Sequence, residues 1–250
     1  MLILTLASAL AIGTALGLFG GGGSILAVPA LIYLAGMPAK SAIALSLFIV
    51  AVTSAVGAIG HARAGRIRWR TGLLFGAAGM AGAYAGGLLG PHLPETILLT
   101  TFAIMMVVTA VAMIRGRKES TSHQRDDLPL THILIDGLII GIVTGLVGAG
   151  GGFLVVPALV LLGGLPMRVA IGTSLVVIAM KAAAGLLGYL HSVPIDWSLA
   201  VPFATLAVIG GLIGTRLTGR LDADKLRRGF GWFVLIMGGF VLAQQAPTLL

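Results

Sequence analysis

The sequence predicts an all-α, polytopic membrane protein made of two inverted repeats of about five helical segments each. Three observations predict it: long apolar stretches that carry little charge, an internal repeat at a fixed offset, and a reversal of loop charge between the two copies. Together they divide the chain into a first repeat over residues 1–115, a cytoplasmic linker over 116–130 and a second, inverted repeat over 131–250.

Hydrophobic residues make up 58% of the 250 residues and charged residues only 10%, with a mean hydropathy of +1.07. A soluble domain carries about a quarter charged residues because its surface faces water. Most of this surface must therefore face lipid. Six apolar segments approach the ~20 residues needed to cross a bilayer core, namely 70–90, 95–114, 131–147, 169–190, 198–215 and 229–246. The apolar N-terminus lacks a basic leader region, and its counterpart recurs in mid-chain, so it is predicted to be the first membrane helix.

An internal repeat with an offset of 128 residues organises the chain, since GLFGGGGSILAVPAL from Gly17 aligns with GLVGAGGGFLVVPAL from Gly145. Between Gly17–Gly60 and Gly145–Gly188, 21 of 44 positions are identical without a gap. The register holds as far as Phe102 and Phe230. Shared composition would not keep one register over that length, so the two halves are predicted to be copies of one unit.

Loop charge reverses between the copies. In the first copy, Lys and Arg cluster in the loop 61–70 and in the linker, whereas 90–95 has neither. In the second copy the loop 189–198 has no Lys or Arg, and the basic residues lie over 216–228. Basic loops stay on the cytoplasmic side, so the copies are predicted to have opposite orientations in a bacterial-type inner membrane, with both termini outside. This spacing of basic residues between spans indicates topology signals and excludes a nucleic-acid partner.

Glycine clusters interrupt the first helix of each repeat, and a short apolar segment follows each of them. Consecutive glycines are poor helix formers, and about twelve residues of helix span only ~18 Å of a ~30 Å hydrocarbon core. The segments are therefore predicted to be half-helices whose N–H groups can receive an anion. The predicted binding residues here are Gly20, Gly22, Gly23, Ser24, Gly148, Gly150, Gly151 and Gly152. Close helix packing is the predicted role of the isolated glycines Gly13, Gly79, Gly82, Gly86, Gly141, Gly210 and Gly214.

A lysine lies near the centre of a predicted span. Lys181 shares one face with Ser174, at a helical spacing that the first copy repeats with Thr53 and Ser46. A mid-membrane lysine usually marks a pathway or a paired site, and no mid-span carboxylate is available as its partner. The sequence therefore predicts that a permeating anion binds at Lys181, with Ser46, Thr53, Thr173 and Ser174 as hydrogen-bonding groups. A neutral lysine, a lysine that snorkels to the interface, and hydroxyls that bond only their own helix are the alternatives.

Catalytic patterns are missing from the sequence. It contains no nucleophile–base pair, no phosphate-binding loop, no dinucleotide fingerprint and no metal-ligand spacing among its five histidines. The chain is therefore predicted not to be an enzyme and to use no cofactor and no metal. Its partners are predicted to be a small anionic substrate and the lipid bilayer, and a homo-oligomeric assembly stays open.

The glycine clusters and the helices that follow them resemble the TauE/SafE family of sulfite exporters. The resemblance rests on GLFGGGGSILAVPAL and GLVGAGGGFLVVPALV, and extends through IALSLFIVAVTSAVGAIGH and AIGTSLVVIAMKAAAGLLGY over nearly the whole chain. It implies transport of sulfur-containing oxyanions such as sulfite, thiosulfate or an organosulfonate like sulfoacetate. Lys181 corresponds to Thr53 in the other copy, so the resemblance does not assign it a role.

Secondary transport of such an anion by alternating access is the leading functional hypothesis, because inverted repeats recur in secondary transporters. Two alternatives are kept. A passive anion channel would conduct much faster and show no counter-flow stimulation. A non-transporting membrane anchor for a sulfur-metabolising complex would show no flux at all.

Overall fold

The computed structural model describes residues 2–19, 24–115, 130–147, 152–162, 164–218 and 223–249. Within these ranges the chain forms ten α-helices and no strand, which confirms the all-α prediction. The helices are α1 (Leu2–Phe19), α2 (Ala27–Tyr33), α3 (Ala39–Arg63), α4 (Trp69–Leu89), α5 (Glu95–Arg115), α6 (Leu130–Val147), α7 (Gly152–Pro157), α8 (Met167–Tyr189), α9 (Trp197–Thr218) and α10 (Ala223–Leu249).

Equivalent helices begin at equivalent positions of the sequence repeat. The first residues of α1, α3, α4 and α5 each lie 128 positions before those of α6, α8, α9 and α10. Proline precedes both α3 and α8, at Pro38 and Pro166, in an extended conformation that starts the helix. The two copies therefore share one order of five helices. The linker 116–130 lies almost wholly outside the described residues.

Four of the described helices, α3, α4, α8 and α9, are long and apolar enough to cross a membrane. Of these, α3 and α8 are the most enclosed by the rest of the protein. The large exposed hydrophobic side chains are spread over the outer helices, for example Trp69, Ile104 and Ile236. Such a surface faces lipid favourably, as expected of a multi-pass membrane protein.

The short helices differ in detail between the copies. In the first copy a 3₁₀ turn over 24–26 leads into α2, where Pro29 lies in the first turn and disturbs no hydrogen bond. In the second copy α7 ends at Pro157 and a π-helical segment follows, Ala158–Leu162. Proline has no N–H to donate, so the helix changes its hydrogen-bonding pattern there.

The short helical segments of the two copies end with the same backbone conformation. Gly36 and Gly164, 128 positions apart, both adopt a left-handed conformation with φ of 66° and 64°. After them, Met37 N–H donates to the Leu31 carbonyl at 3.1 Å and Leu165 N–H to the Leu159 carbonyl at 3.0 Å. Glycine is favoured at both positions because other residues rarely adopt this conformation.

Glycine also allows two pairs of helices to approach closely. A methyl group at Gly13 of α1 would overlap the Ala207 carbonyl oxygen on α9, and one at Gly141 of α6 would overlap the Gly79 carbonyl oxygen on α4. The packing role predicted from the sequence is confirmed for Gly13, Gly82, Gly86, Gly141, Gly210 and Gly214, each of which faces the backbone of a neighbouring helix. At Gly79 an added methyl group would instead meet a side chain, that of Lys181.

Equivalent helices of the two copies pack against each other in antiparallel directions. Leu47 of α3 lies beside Gly185 of α8, whereas Gly57 lies beside Leu175, earlier on α8. In the same way α5 and α10 run antiparallel. Two oppositely directed copies would have this relation. The sidedness of the loops stays a prediction.

Candidate functional site

The polar side chains predicted from the sequence lie beside the central crossing of α3 and α8. Because the two helices are antiparallel, the level of Thr53 on α3 is within about 3 Å of the level of Lys181 on α8, from a rise of 1.5 Å per residue. The methyl group of Thr53 packs toward Gly211 of α9, whereas the stem of Lys181 packs toward Gly79 of α4. No hydrogen bond joins the two side chains.

Lys181 is the most unusual of these residues. Only 1% of it is exposed, and its Nζ atom has no hydrogen-bond partner among the described residues. A methyl group at Gly79 would lie 2.6 Å from Lys181 Cδ, so the lysine stem occupies the space that this glycine leaves open. The buried Nζ excludes the snorkelling alternative, in which the amine would reach the protein surface.

A buried ammonium without a counter-charge is energetically unfavourable. Removing one partner from a buried ion pair costs about 3–5 kcal/mol, because the other charge is left uncompensated. No described carboxylate lies close enough to bond to Lys181, and neither Asp136 nor Asp196 is among the buried polar residues. Two of the sequence-based interpretations therefore remain for Lys181, a neutral amine and an ammonium whose charge a bound anion compensates.

The polar residues of the two copies form two stripes, Ser46 with Thr53 on α3 (the α3 stripe) and Ser174 with Lys181 on α8 (the α8 stripe), and their hydroxyl groups divide into two kinds. Ser46 donates to the Ile43 carbonyl and Ser174 to the Ile171 carbonyl, each at 2.8 Å. Their protons are thus used within their own helices, which was the alternative for hydroxyls in membrane helices. Thr53 differs, because its hydroxyl is buried and has no partner in the described ranges.

A second buried hydroxyl that has no partner among the described residues, that of Ser54, follows Thr53 directly. Thr173 takes part in tertiary structure, since its hydroxyl accepts the Arg68 N–H at 3.0 Å and so holds the α3–α4 loop against α8.

The glycine clusters lie mostly outside the described residues. Gly20, Gly22, Gly23, Gly148, Gly150 and Gly151 fall there, so their binding role stays a prediction. Ser24 is fully buried at the start of the turn that leads into α2, and Gly152 is the first residue of α7. Among the described residues no three side chains of the types that bind metals come together.

Two buried residues escaped the sequence-based selection, His61 on α3 and Tyr189 on α8. They lie 128 positions apart, and each follows a glycine by one helical turn, His61 after Gly57 and Tyr189 after Gly185. The signal was present, because positions 46, 50, 53, 57 and 61 have helical spacing. The two residues were missed because side chains near the end of a membrane helix are normally exposed to water.

Comparisons with known proteins agree with a multi-pass membrane protein. The family model described as sulfite exporter TauE/SafE matches residues 5–241. A probable membrane transporter protein of Xylella fastidiosa is 34% identical over 99% of this chain and 97% of its own length. Probable membrane transporter proteins of Methanocaldococcus jannaschii and Bacillus subtilis are 27% and 26% identical, over 90% and 86% of this chain and 89% and 90% of their own lengths. No solved structure matches the chain significantly.

Proposed function

Because the chain belongs to the sulfite exporter TauE/SafE family and is a multi-pass membrane transporter, not an enzyme, we propose that it carries a small sulfur-containing oxyanion by alternating access. Sulfite, thiosulfate and an organosulfonate such as sulfoacetate are the substrates to test. The observation that supports an anionic substrate most directly is the buried Lys181 Nζ, which has no partner in the described part of the chain.

The electrostatics of this position support an anionic substrate when Lys181 is charged. A cation would be repelled by the lysine, and a neutral solute would leave the ammonium uncompensated. An oxyanion both neutralises the charge and accepts its N–H groups, in charge-assisted hydrogen bonds that are about twice as strong as neutral ones. The hydroxyl of Thr53, at nearly the same level of the crossing, also has no partner in the described ranges.

Alternating access is supported by the relation between the copies. The equivalent helices α3 and α8 cross antiparallel beside these groups, and each packs on the equivalent outer helix, α9 or α4. Two states related by exchanging the roles of the copies are therefore of similar construction. Rocking one copy against the other would open the Lys181 region first to one side of the membrane and then to the other.

Lys181→Met tests the substrate charge. Methionine keeps most of the stem volume against Gly79 and removes the ammonium, so the protein should insert and remain monodisperse. A hydrogen bond to a charged group contributes about 1.5–3 kcal/mol, so anion affinity should fall roughly 10- to 150-fold. Lys181→Arg should keep more affinity than Lys181→Met. Lys40→Met is the matched control, because it removes the same charge at the beginning of α3, where Nζ donates to the Pro91 carbonyl at 2.6 Å.

The measurement has two stages. Thermal-shift binding with sulfite, thiosulfate, sulfate, sulfoacetate, taurine and simple carboxylates identifies the preferred anion. Radiolabelled flux in proteoliposomes then compares the variants. Stimulation by the same anion on the opposite side supports a carrier, fast flux without such stimulation indicates a channel, and no flux from the wild type indicates an anchor. Unchanged flux in Lys181→Met would contradict the role given to this lysine.

A further inference from the structure

The turn between α3 and α4 brings two nitrogen-bearing side chains together, those of His61 and Arg66. Gly65 adopts a left-handed conformation with φ of 65°. Its N–H donates to the Ala62 carbonyl at 3.0 Å, and the Arg66 N–H donates to the His61 carbonyl at 2.9 Å. These two bonds form a Schellman motif, which folds Arg66 back over the last turn of α3. Arg66 is also the charged residue that acts electrostatically on the His61 ring.

This turn is fixed against the other copy. A methyl group at Gly172 of α8 would overlap the Arg66 carbonyl oxygen and would lie 3.1 Å from His61 Cβ. The next residue of α8, Thr173, accepts the Arg68 N–H. The backbone around His61 and Arg66 is thus held by contacts that do not involve either side chain, and the two side chains are available for another role.

Three buried side-chain nitrogens of this pair have no hydrogen-bond partner in the described part of the chain. His61 is fully buried, and both of its ring nitrogens are unpartnered. The Nε atom of Arg66 is buried and unpartnered as well. Such groups are uncommon in native proteins, and each needs an explanation, such as strain, a bound water or ion, or a functional role. A donor set of imidazole and guanidinium matches an oxyanion, whose oxygens accept several N–H groups at once.

The equivalent residue of the other copy shows that packing alone does not impose this situation. Tyr189 lies at the same repeat position as His61 and is also fully buried. Its hydroxyl donates to the Leu146 carbonyl at 2.7 Å and so ties the end of α8 to α6. The second copy satisfies its polar group at this position internally, whereas the first copy leaves both nitrogens of His61 unpartnered.

We propose that His61 and Arg66 form a second oxyanion subsite at the predicted cytoplasmic end of the α3 stripe. His61 lies eight residues after Thr53 on the same helix, which is about 12 Å along its axis. An anion bound there would be one step from the Lys181 region, on the path between that region and one face of the membrane. This inference rests on the proposed function, since it concerns the same sulfur oxyanion.

Side-specific transport kinetics test the subsite. Everted vesicles expose the cytoplasmic face of the full-length protein and right-side-out vesicles expose the outer face, so sulfite KM can be measured from each side. His61→Leu and Arg66→Gln should each raise KM about tenfold, the loss of one hydrogen bond to a charged group, from the cytoplasmic face and less than twofold from the outer face. His61→Gln, which keeps an N–H donor, should recover part of the loss.

Arg63→Gln and His191→Gln are the matched controls, because both residues are exposed near the ends of α3 and α8. Arg66→Gln keeps every backbone contact of the turn, so it remains informative if His61→Leu fails to fold. A KM effect confined to the outer face would support the subsite and reverse the predicted orientation. Equal effects on both faces, or none, would overturn it. Absence of sulfite flux in the wild type would instead overturn the proposed function for that anion, and the subsite for sulfite with it.

Discussion

Replacing Gly13 with alanine should destabilise the protein although alanine is the better helix former. The new methyl group would overlap the Ala207 carbonyl oxygen, so α1 and α9 would have to separate by roughly 1 Å or more to restore ordinary van der Waals contact. A backbone oxygen cannot rotate away as a side chain can. The neighbouring contacts on the same pair of helices, at Gly17, Gly210 and Gly214, resist the separation together.

The magnitude follows from two opposing terms. Overpacking typically lowers the free energy of unfolding by about 1–3 kcal/mol. The change from glycine to alanine within a helix raises it by about 1 kcal/mol. Gly239→Ala on α10 is the matched control, because nothing lies within 4 Å of a methyl group there and only the favourable term applies. The two variants should thus differ by about 1–3 kcal/mol, or roughly 2–12 °C in Tm for a chain of this size.

The assay is heating in detergent followed by size-exclusion chromatography of the surviving monodisperse protein. Gly141→Ala, at the equivalent place between α6 and α4, should lower the Tm as Gly13→Ala does. The Tm of Gly239→Ala should equal or exceed that of the wild type. If Gly13→Ala were as stable as Gly239→Ala, the close α1–α9 approach described here would be wrong.

Three further changes have defined outcomes. Tyr189→Phe removes a part-buried hydrogen bond to the Leu146 carbonyl, which should cost about 0.5–1.5 kcal/mol and appear as a lower Tm with unchanged KM from the cytoplasmic face. Gly79→Ala should displace the Lys181 stem, which is flexible, so sulfite affinity should fall more than thermal stability, in contrast to Gly141→Ala. The pKa of Asp196 is held below its usual value of 3.8, chiefly by the hydrogen bond from the Ser198 hydroxyl at the start of α9. A lowered pKa means that this contribution to stability is complete above about pH 4 and is lost as the pH falls through the lowered value. The hydrogen-exchange protection factors in the first turn of α9 should therefore decrease below pH 4 in the wild type but not in Asp196→Ala.

Much of this fold could be predicted because its determinants are local. The helices α3 and α8 begin at equivalent positions of the repeat, directly after Pro38 and Pro166. Glycine also ends the short helix at the same position of both copies. The unusual position of Lys181 was equally visible, since one charge in an apolar span needs no tertiary information to be recognised.

The details of the site depended on how helices rotate and cross, which the sequence does not encode locally. Ser46 and Lys181 belong to the equivalent polar stripes of the two copies. The Ser46 hydroxyl nevertheless bonds its own helix, whereas the Lys181 amine has no hydrogen-bond partner in the described ranges. Gly79 was predicted to serve only helix packing, and its space is occupied by the lysine because α4 lies against that part of α8. His61 looked like a residue at an exposed helix end until α8 was seen to cover it.

The differences between the copies have a consequence for transport under the proposed path. Two identical inverted copies would present the same groups to both faces of the membrane, and the substrate would then bind equally well from either side. Here the equivalent pairs are Thr53 with Lys181 and His61 with Tyr189. The first pair differs near the crossing that both states share, so it affects affinity from both faces. The second pair differs at opposite ends of the path, where Tyr189 is tied to Leu146 and His61 is free to bind. The second difference alone should therefore make KM unequal on the two faces, while the gradients of the substrate, and not the site, determine the direction of net flux.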